Sequence, residues 1–126
     1  MPIFKIQALP QNKDINITNV ISKLCTGVAE ATKIDSKRIW ATWQTLDPEH
    51  YVEADIPALE QPRTSHAPLV HVYSFSGKSP ETVETILETS ANILCKELNL
   101  KDGNIFIVYD ELPSGRAYSG GQIIKK

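Results

Sequence analysis

The second residue of this chain is a proline placed directly behind the initiator methionine. A methionine followed by so small a residue is normally excised, which leaves Pro2 as the terminus with a free secondary amine. An α-amino group ordinarily titrates near pH ~7.7–8.0, and an apolar pocket or a nearby cation pushes that value down toward neutrality. A rigid secondary amine tuned in this way serves as general base or nucleophile without a histidine. The competing reading is structural, since proline also opens a strand where a missing N–H costs nothing.

Other chemistry-bearing residues are sparse. His50, His66 and His71 are scattered and have no cysteine or carboxylate at ligand spacing, so no metal site is expected. Cys25 and Cys95 form no CxxC pair and read as reduced, core-filling thiols. No glycine pattern for phosphate binding occurs, so no cofactor is expected. The acids Asp47, Glu49 and Glu53 read as a solvated loop.

Composition narrows the class further. The 126 residues carry 13 basic and 15 acidic side chains, without the basic excess that phosphate-backbone binding needs, so nucleic acid is not an expected partner. With 41% apolar and 22% charged residues the chain has the makings of one globular domain spanning 1–126. The longest apolar run is the five residues Ile105 to Tyr109, and Pro2, Lys5 and Pro10 interrupt the amino-terminal segment where a leader would be apolar. A soluble cytoplasmic protein with no membrane partner is expected.

These residues need elements to hold them. Shifting the sequence by 66 positions lays residues 2–56 on residues 68–122 without a gap: Pro2 meets Pro68, and Ile17, Val20, Ile21 and Val28 meet Val83, Ile86, Leu87 and Leu94. Each half reads strand, helix, strand. PIFKIQAL alternates with period two, Asn16 to Thr32 keeps one apolar stripe with Asp14 or Asn16 as cap, and Arg38 to Leu46 is β-branched and aromatic. In the second half the elements are Leu69 to Phe75, Pro80 to Leu98 capped by Ser79, and Asn104 to Tyr109. The proline-rich stretch between the halves reads as a linker, and the Gly120-Gly121 pair as the turn of a terminal hairpin or short strand.

Right-handed crossovers then give an α+β fold: duplicated βαβ units forming a four-stranded mixed sheet with two helices on one face. Because Phe4, Ile6, Val70, Val72 and the aromatic-rich outer strands are too many apolar groups for two helices, the opposite face is expected to carry Val70, Val72 and Ile107. Neighbouring subunits would cover it in a homotrimer, the Gly120-Gly121 segment with Ile123 and Ile124 adding to a neighbour's sheet edge.

Taken together, these segments resemble the tautomerase superfamily, whose members are built from βαβ units with an amino-terminal proline. MPIFKIQAL resembles the family's first strand, and FSGKSPETVETIL its glycine-basic-serine helix start. SKRIWATW resembles the serine-x-arginine-strand segment of 4-oxalocrotonate tautomerase, and SGGQI its terminal hairpin. The resemblance covers about the whole chain, and the length matches the fused members. It implies Pro2 as catalytic base, Lys78 in the place of the turn arginine, and Arg38 in that of the second arginine. It also implies Phe106 as an aromatic reaching the pocket from a neighbouring subunit. Antiparallel pairing of the two first strands would independently set Lys78 beside Pro2. Without the resemblance, Lys78 and Arg38 read equally well as solvated charges and Phe106 as a core residue.

The departures from the family pattern restrict the chemistry. Asn12 and Asn104 stand where the other half has Lys78 and Arg38, and Pro68 is internal, hence an amide without basicity. Phe75 occupies the place of the second basic residue of the chloroacrylic acid dehalogenases, which points to a monocarboxylate or smaller substrate. Glu53 falls where a dehalogenase-like carboxylate could activate water, but reads more simply as an exposed loop acid. The resulting expectation is a cofactor-independent tautomerase acting on a small 2-oxo or 2-hydroxy-dienoic acid, with Phe75, Phe106 and Trp40 as pocket walls. The alternatives are dehalogenation, hydration or decarboxylation on the same proline, or a ferredoxin-like oligomeric module that binds without catalysis.

Overall fold

The computed structural model describes residues 1–125. In chain order its elements are β1 (Ile3–Ala8), α1 (Ile17–Thr32), a 3-10 turn (Ser36–Arg38), β2 (Trp40–Thr45), β3 (Val52–Glu53), β4 (Ile56–Pro57), β5 (Leu69–Phe75), α2 (Pro80–Glu97), β6 (Phe106–Leu112), β7 (Ala117–Ser119) and β8 (Gln122–Ile124). The main sheet runs β2-β1-β5-β6, with β1 antiparallel to β5 at its centre and a parallel pair on either side. Among the described residues no helix is long and apolar enough to cross a membrane.

Local chemistry sets the helix starts. Asn16 accepts a hydrogen bond from the Asn19 N–H (3.0 Å) and Ser79 one from the Thr82 N–H (3.2 Å), each satisfying a donor the first helical turn leaves open. Pro80 follows in the first turn, where its missing N–H is harmless. The helices pack on each other and on the sheet. Between the helices Gly27 leaves room for Ile93: an added Cβ would collide with Ile93 Cδ1.

The register decides which face is core. Phe4 pairs with Val72 and Ala41, and Ile6 with Val70 and Trp43, while Ile107 and Tyr109 stand opposite Val70 and Val72. These side chains pack with Val20, Leu24, Val28, Ile86 and Leu94 of the helices. The expectation for the open face is thereby corrected. Val70 and Val72 point at the helices and are buried within one chain, and Ile107 packs against the same core. A strand has period two, so the residues between them form the other face: Leu69, Phe106, Val108 and Trp40 are its exposed apolar members. Lys5 lies over the Tyr73 ring there (5.5 Å), and His71 pairs with Asp110 (2.6 Å).

Several boundaries also move. Arg38 ends the 3-10 turn and does not begin β2, because Asp35 caps that turn by accepting from the Lys37 N–H at 3.0 Å. Asn104 precedes β6, its amide donating to the carbonyls of Pro62, Arg63 and Ser65, and β6 continues through Leu112. The linker contains the small β3–β4 ribbon and is pinned by Gln61, whose amide donates to the carbonyls of Pro62, Ser65 and His66. His66 is buried there, with one ring nitrogen on the Ile56 carbonyl (2.8 Å). β7 and β8 pair into the terminal hairpin around Gly120 and Gly121, both at positive φ.

Candidate active site

Antiparallel pairing brings the start of β1 to the end of β5. The pair Ile3–Tyr73 closes the ladder, so Pro2 comes next to Ser74, one step further along each strand. Ser74 is fully buried. Its hydroxyl accepts from the Lys78 ammonium at 2.8 Å and from the chain's terminal amine, on Met1, at 3.4 Å. Gly77 takes the positive φ of 110° in the turn between Ser74 and Lys78, letting the chain double back so that a residue beyond the strand reaches its last turn inward. Lys78 is half-buried.

A cleft of about 590 Å³ opens at this end of the sheet. Met1, Arg38 and Phe75 line it from one side, and Ser119, Gln122 and Lys125 from the other. Arg38 reaches it because parallel pairing starts β2 beside the start of β1, Ile3 against Trp40. Phe75 supplies an apolar wall. Pro2 is buried behind Met1, its carbonyl accepting from the Trp40 N–H at 3.2 Å. With Met1 attached, the Pro2 nitrogen is an amide and has no basicity. Trp40, expected as a pocket wall, does not line this cleft: it is exposed, with its indole N–H on the Lys37 carbonyl (3.2 Å).

The sequence-derived candidates therefore divide. Pro2, Lys78, Arg38 and Phe75 gather at one end of the sheet. Phe106 stands at the opposite end, exposed on the open face, its N–H donating to the Pro68 carbonyl at 3.1 Å. Within one chain it does not reach the Pro2 cleft. Glu53 lies on the ribbon of the linker, where it accepts from the His66 N–H at 3.3 Å.

Sequence reasoning missed two contributors, Ser74 and Tyr109, and did not place the terminal hairpin at the cleft. The signal for Ser74 was present, since it continues the inward series Val70, Val72, Ser74 with a hydroxyl where an apolar residue belongs. Tyr109 of β6 buries its hydroxyl near that of Ser74, but the two do not meet with hydrogen-bond geometry, and the Tyr109 oxygen has no hydrogen-bond partner among the described residues. Burial, opposed by Ser74 and reinforced by the Glu111 carboxylate, pushes its pKa above the ordinary 10.0. The terminal hairpin, expected to add to a neighbour's sheet edge, lines the chain's own cleft through Ser119 and Gln122.

No family model matches the sequence. A probable tautomerase of Lactococcus lactis subsp. lactis (strain IL1403) is 30% identical over 59 residues, which are 47% of this chain and 97% of that protein. Among solved structures, a wild-type fused 4-OT asymmetric trimer superposes with a TM-score of 0.84 at 11% identity, covering 96% of this chain and 94% of that one. A member of the cis-3-chloroacrylic acid dehalogenase family superposes with a TM-score of 0.75 at 15% identity, covering 98% and 84%.

Proposed function

The chain belongs to the tautomerase superfamily, and from that premise we propose that it is a cofactor-independent isomerase whose base is the free amine of Pro2. What carries this reading is the position of Met1: it lines the cleft while Pro2 lies buried directly behind it, so excision of one residue uncovers a secondary amine at the cleft floor. That amine would emerge beside the Lys78 ammonium and an apolar wall, Phe75, both of which favour its neutral, basic form at working pH.

The substrate is a small 2-hydroxy-dienoic or 2-oxo acid. Arg38 and Lys78 hold its carboxylate and the oxygen that becomes an enolate, so their charge counts most where negative charge develops. The Pro2 nitrogen takes the proton from the 2-hydroxyl or from the carbon next to the 2-oxo group. The released electron pair delocalises through the conjugated system, and the ammonium returns that proton to a different carbon. The product is an isomer, with no net loss of atoms. Phe75 in place of a further cation suits one carboxylate better than two.

Two further features of the proposal concern architecture. Residues 2–56 and 68–122 act as two copies of one βαβ unit, a reading supported by their shared register: Ile3–Trp40 and Leu69–Phe106 are equivalent pairs at the 66-residue offset. The working form is a homotrimer, supported by the trimeric fused 4-OT to which the fold is similar and by the exposed Leu69, Phe106 and Val108. In such an assembly Phe106 serves a neighbour's site.

The test is ketonisation of phenylenolpyruvate or 2-hydroxymuconate by chain that starts at Pro2. Pro2→Ala should lose about 10²–10⁴-fold in rate, the usual worth of a positioned base. Equal rates for the two proteins would refute the proline mechanism.

A further inference from the structure

The Ser74 hydroxyl is in direct contact with both the Lys78 ammonium and, in the chain that retains Met1, the Met1 amine, and Ser74 lies across the β1–β5 ladder from Pro2. A serine hydroxyl has two acceptor lone pairs and one proton. Both cations are pure donors, so each takes a lone pair, and the proton must point elsewhere. The Tyr109 hydroxyl is buried near it without meeting it in hydrogen-bond geometry, and has no hydrogen-bond partner among the described residues. Ser74 is thus held as an acceptor for Lys78, in a fully buried position where its rotation is restricted by the core.

We propose that Ser74 is the positioning residue of this site: it fixes the Lys78 ammonium at a constant distance from the Pro2 amine. The inference rests on the reading of Pro2 as base. A lysine on a solvated turn samples many rotamers, and its mean field at any one point is weak. A lysine tied to Ser74 keeps its charge against the base, which disfavours the protonated amine, and keeps a donor aimed where the substrate oxygen arrives. The other charged groups near the amine are Arg38 and Lys125 in the cleft and Glu111, which pairs with Ser74 from β6. None of these changes in the variants below.

The experiment follows the Pro2 nitrogen by NMR in ¹⁵N-proline-labelled, Met1-free chain, titrated alongside the pH profile of kcat/KM. In Ser74→Ala the amine should titrate about one pH unit higher, and the acid limb of the profile should move with it. Ser74→Thr, which keeps the hydroxyl, should restore both. In a Lys78→Ala background Ser74→Ala should add no further shift, because the effect runs through the lysine. If Ser74→Ala does not fold, Ser74→Cys replaces the hydroxyl by a weak acceptor of similar volume and should show the same rise.

An unchanged amine titration in folded, active Ser74→Ala would overturn the positioning role. So would an equal shift in the Lys78→Ala background. The titration reads the amine whether or not it does chemistry. A shift in chain that ketonises nothing would therefore uphold the positioning and overturn the base reading.

Discussion

The backbone N–H of Trp40 donates to the carbonyl of Pro2 at 3.2 Å, and at the 66-residue offset Phe106 donates to Pro68 at 3.1 Å. The two prolines thus sit in matching backbone positions, both fully buried. They differ in what precedes them. Met1 lines an open cleft, whereas Ala67 belongs to the pinned linker, its carbonyl held by the Tyr51 hydroxyl at 2.7 Å.

That asymmetry separates their variants. Pro68→Ala should keep kcat within about twofold while Pro2→Ala loses about 10²–10⁴-fold. Steady-state ketonisation kinetics on both chains check this, and a comparable loss in the two would assign proline a purely structural role.

Removing the cations should weaken handling of carboxylates. Lys78→Ala and Arg38→Ala should each cost about 1.5–3 kcal/mol in kcat/KM, as expected for a hydrogen bond to a charged group. Wild-type kinetics in both would show that these side chains do not touch substrate.

Much of the fold is legible because it is local. The alternation of Leu69 to Phe75 and the Ser79-Pro80 start of α2 are written in adjacent residues, and both stand where the sequence put them. The facing of the sheet is not local. Both faces of β5 carry apolar side chains, and register with Phe4 and Ile6, not pattern, turns Val70 and Val72 inward. The β3–β4 ribbon has two residues per strand, too short to show any period. For the site, Pro2, Lys78 and Arg38 were visible as residue types, but Ser74 gains its meaning from a strand pairing across the chain.

Stability offers a check on the core that is independent of chemistry. Ser90 of α2 is buried with its hydroxyl unsatisfied, at the offset position of Leu24. Ser90→Ala should stabilise the protein by about 1 kcal/mol, since it removes an unpaired polar atom and improves helix propensity. Urea denaturation showing a loss of that size would mean that the hydroxyl is satisfied in solution.

The raised pKa of Tyr109 sets an alkaline dependence. The folded chain holds the phenolic proton more tightly than the unfolded one, so this contribution is intact below the ordinary 10.0 and is lost as pH rises through the higher folded value. Tyr109→Phe should therefore lose less stability than wild type as pH rises above the ordinary 10.0. Parallel denaturation curves over that range would contradict it.

The proposed trimer is tested on the exposed face of the sheet. Val108→Glu, on the exposed face, should convert a trimer of the 14.0 kDa chain into monomers by sedimentation equilibrium. A wild-type chain that sediments as a monomer with full activity would refute the trimer.

The most direct measurement compares two preparations that differ by one residue: chain beginning at Pro2 and chain retaining Met1, each verified by intact mass, in ketonisation of the same 2-hydroxy-dienoate. Because Met1 turns the amine into an amide and fills the cleft wall, the retained form should be slower by about 10²-fold or more. Equal rates would contradict the Pro2 amine as base.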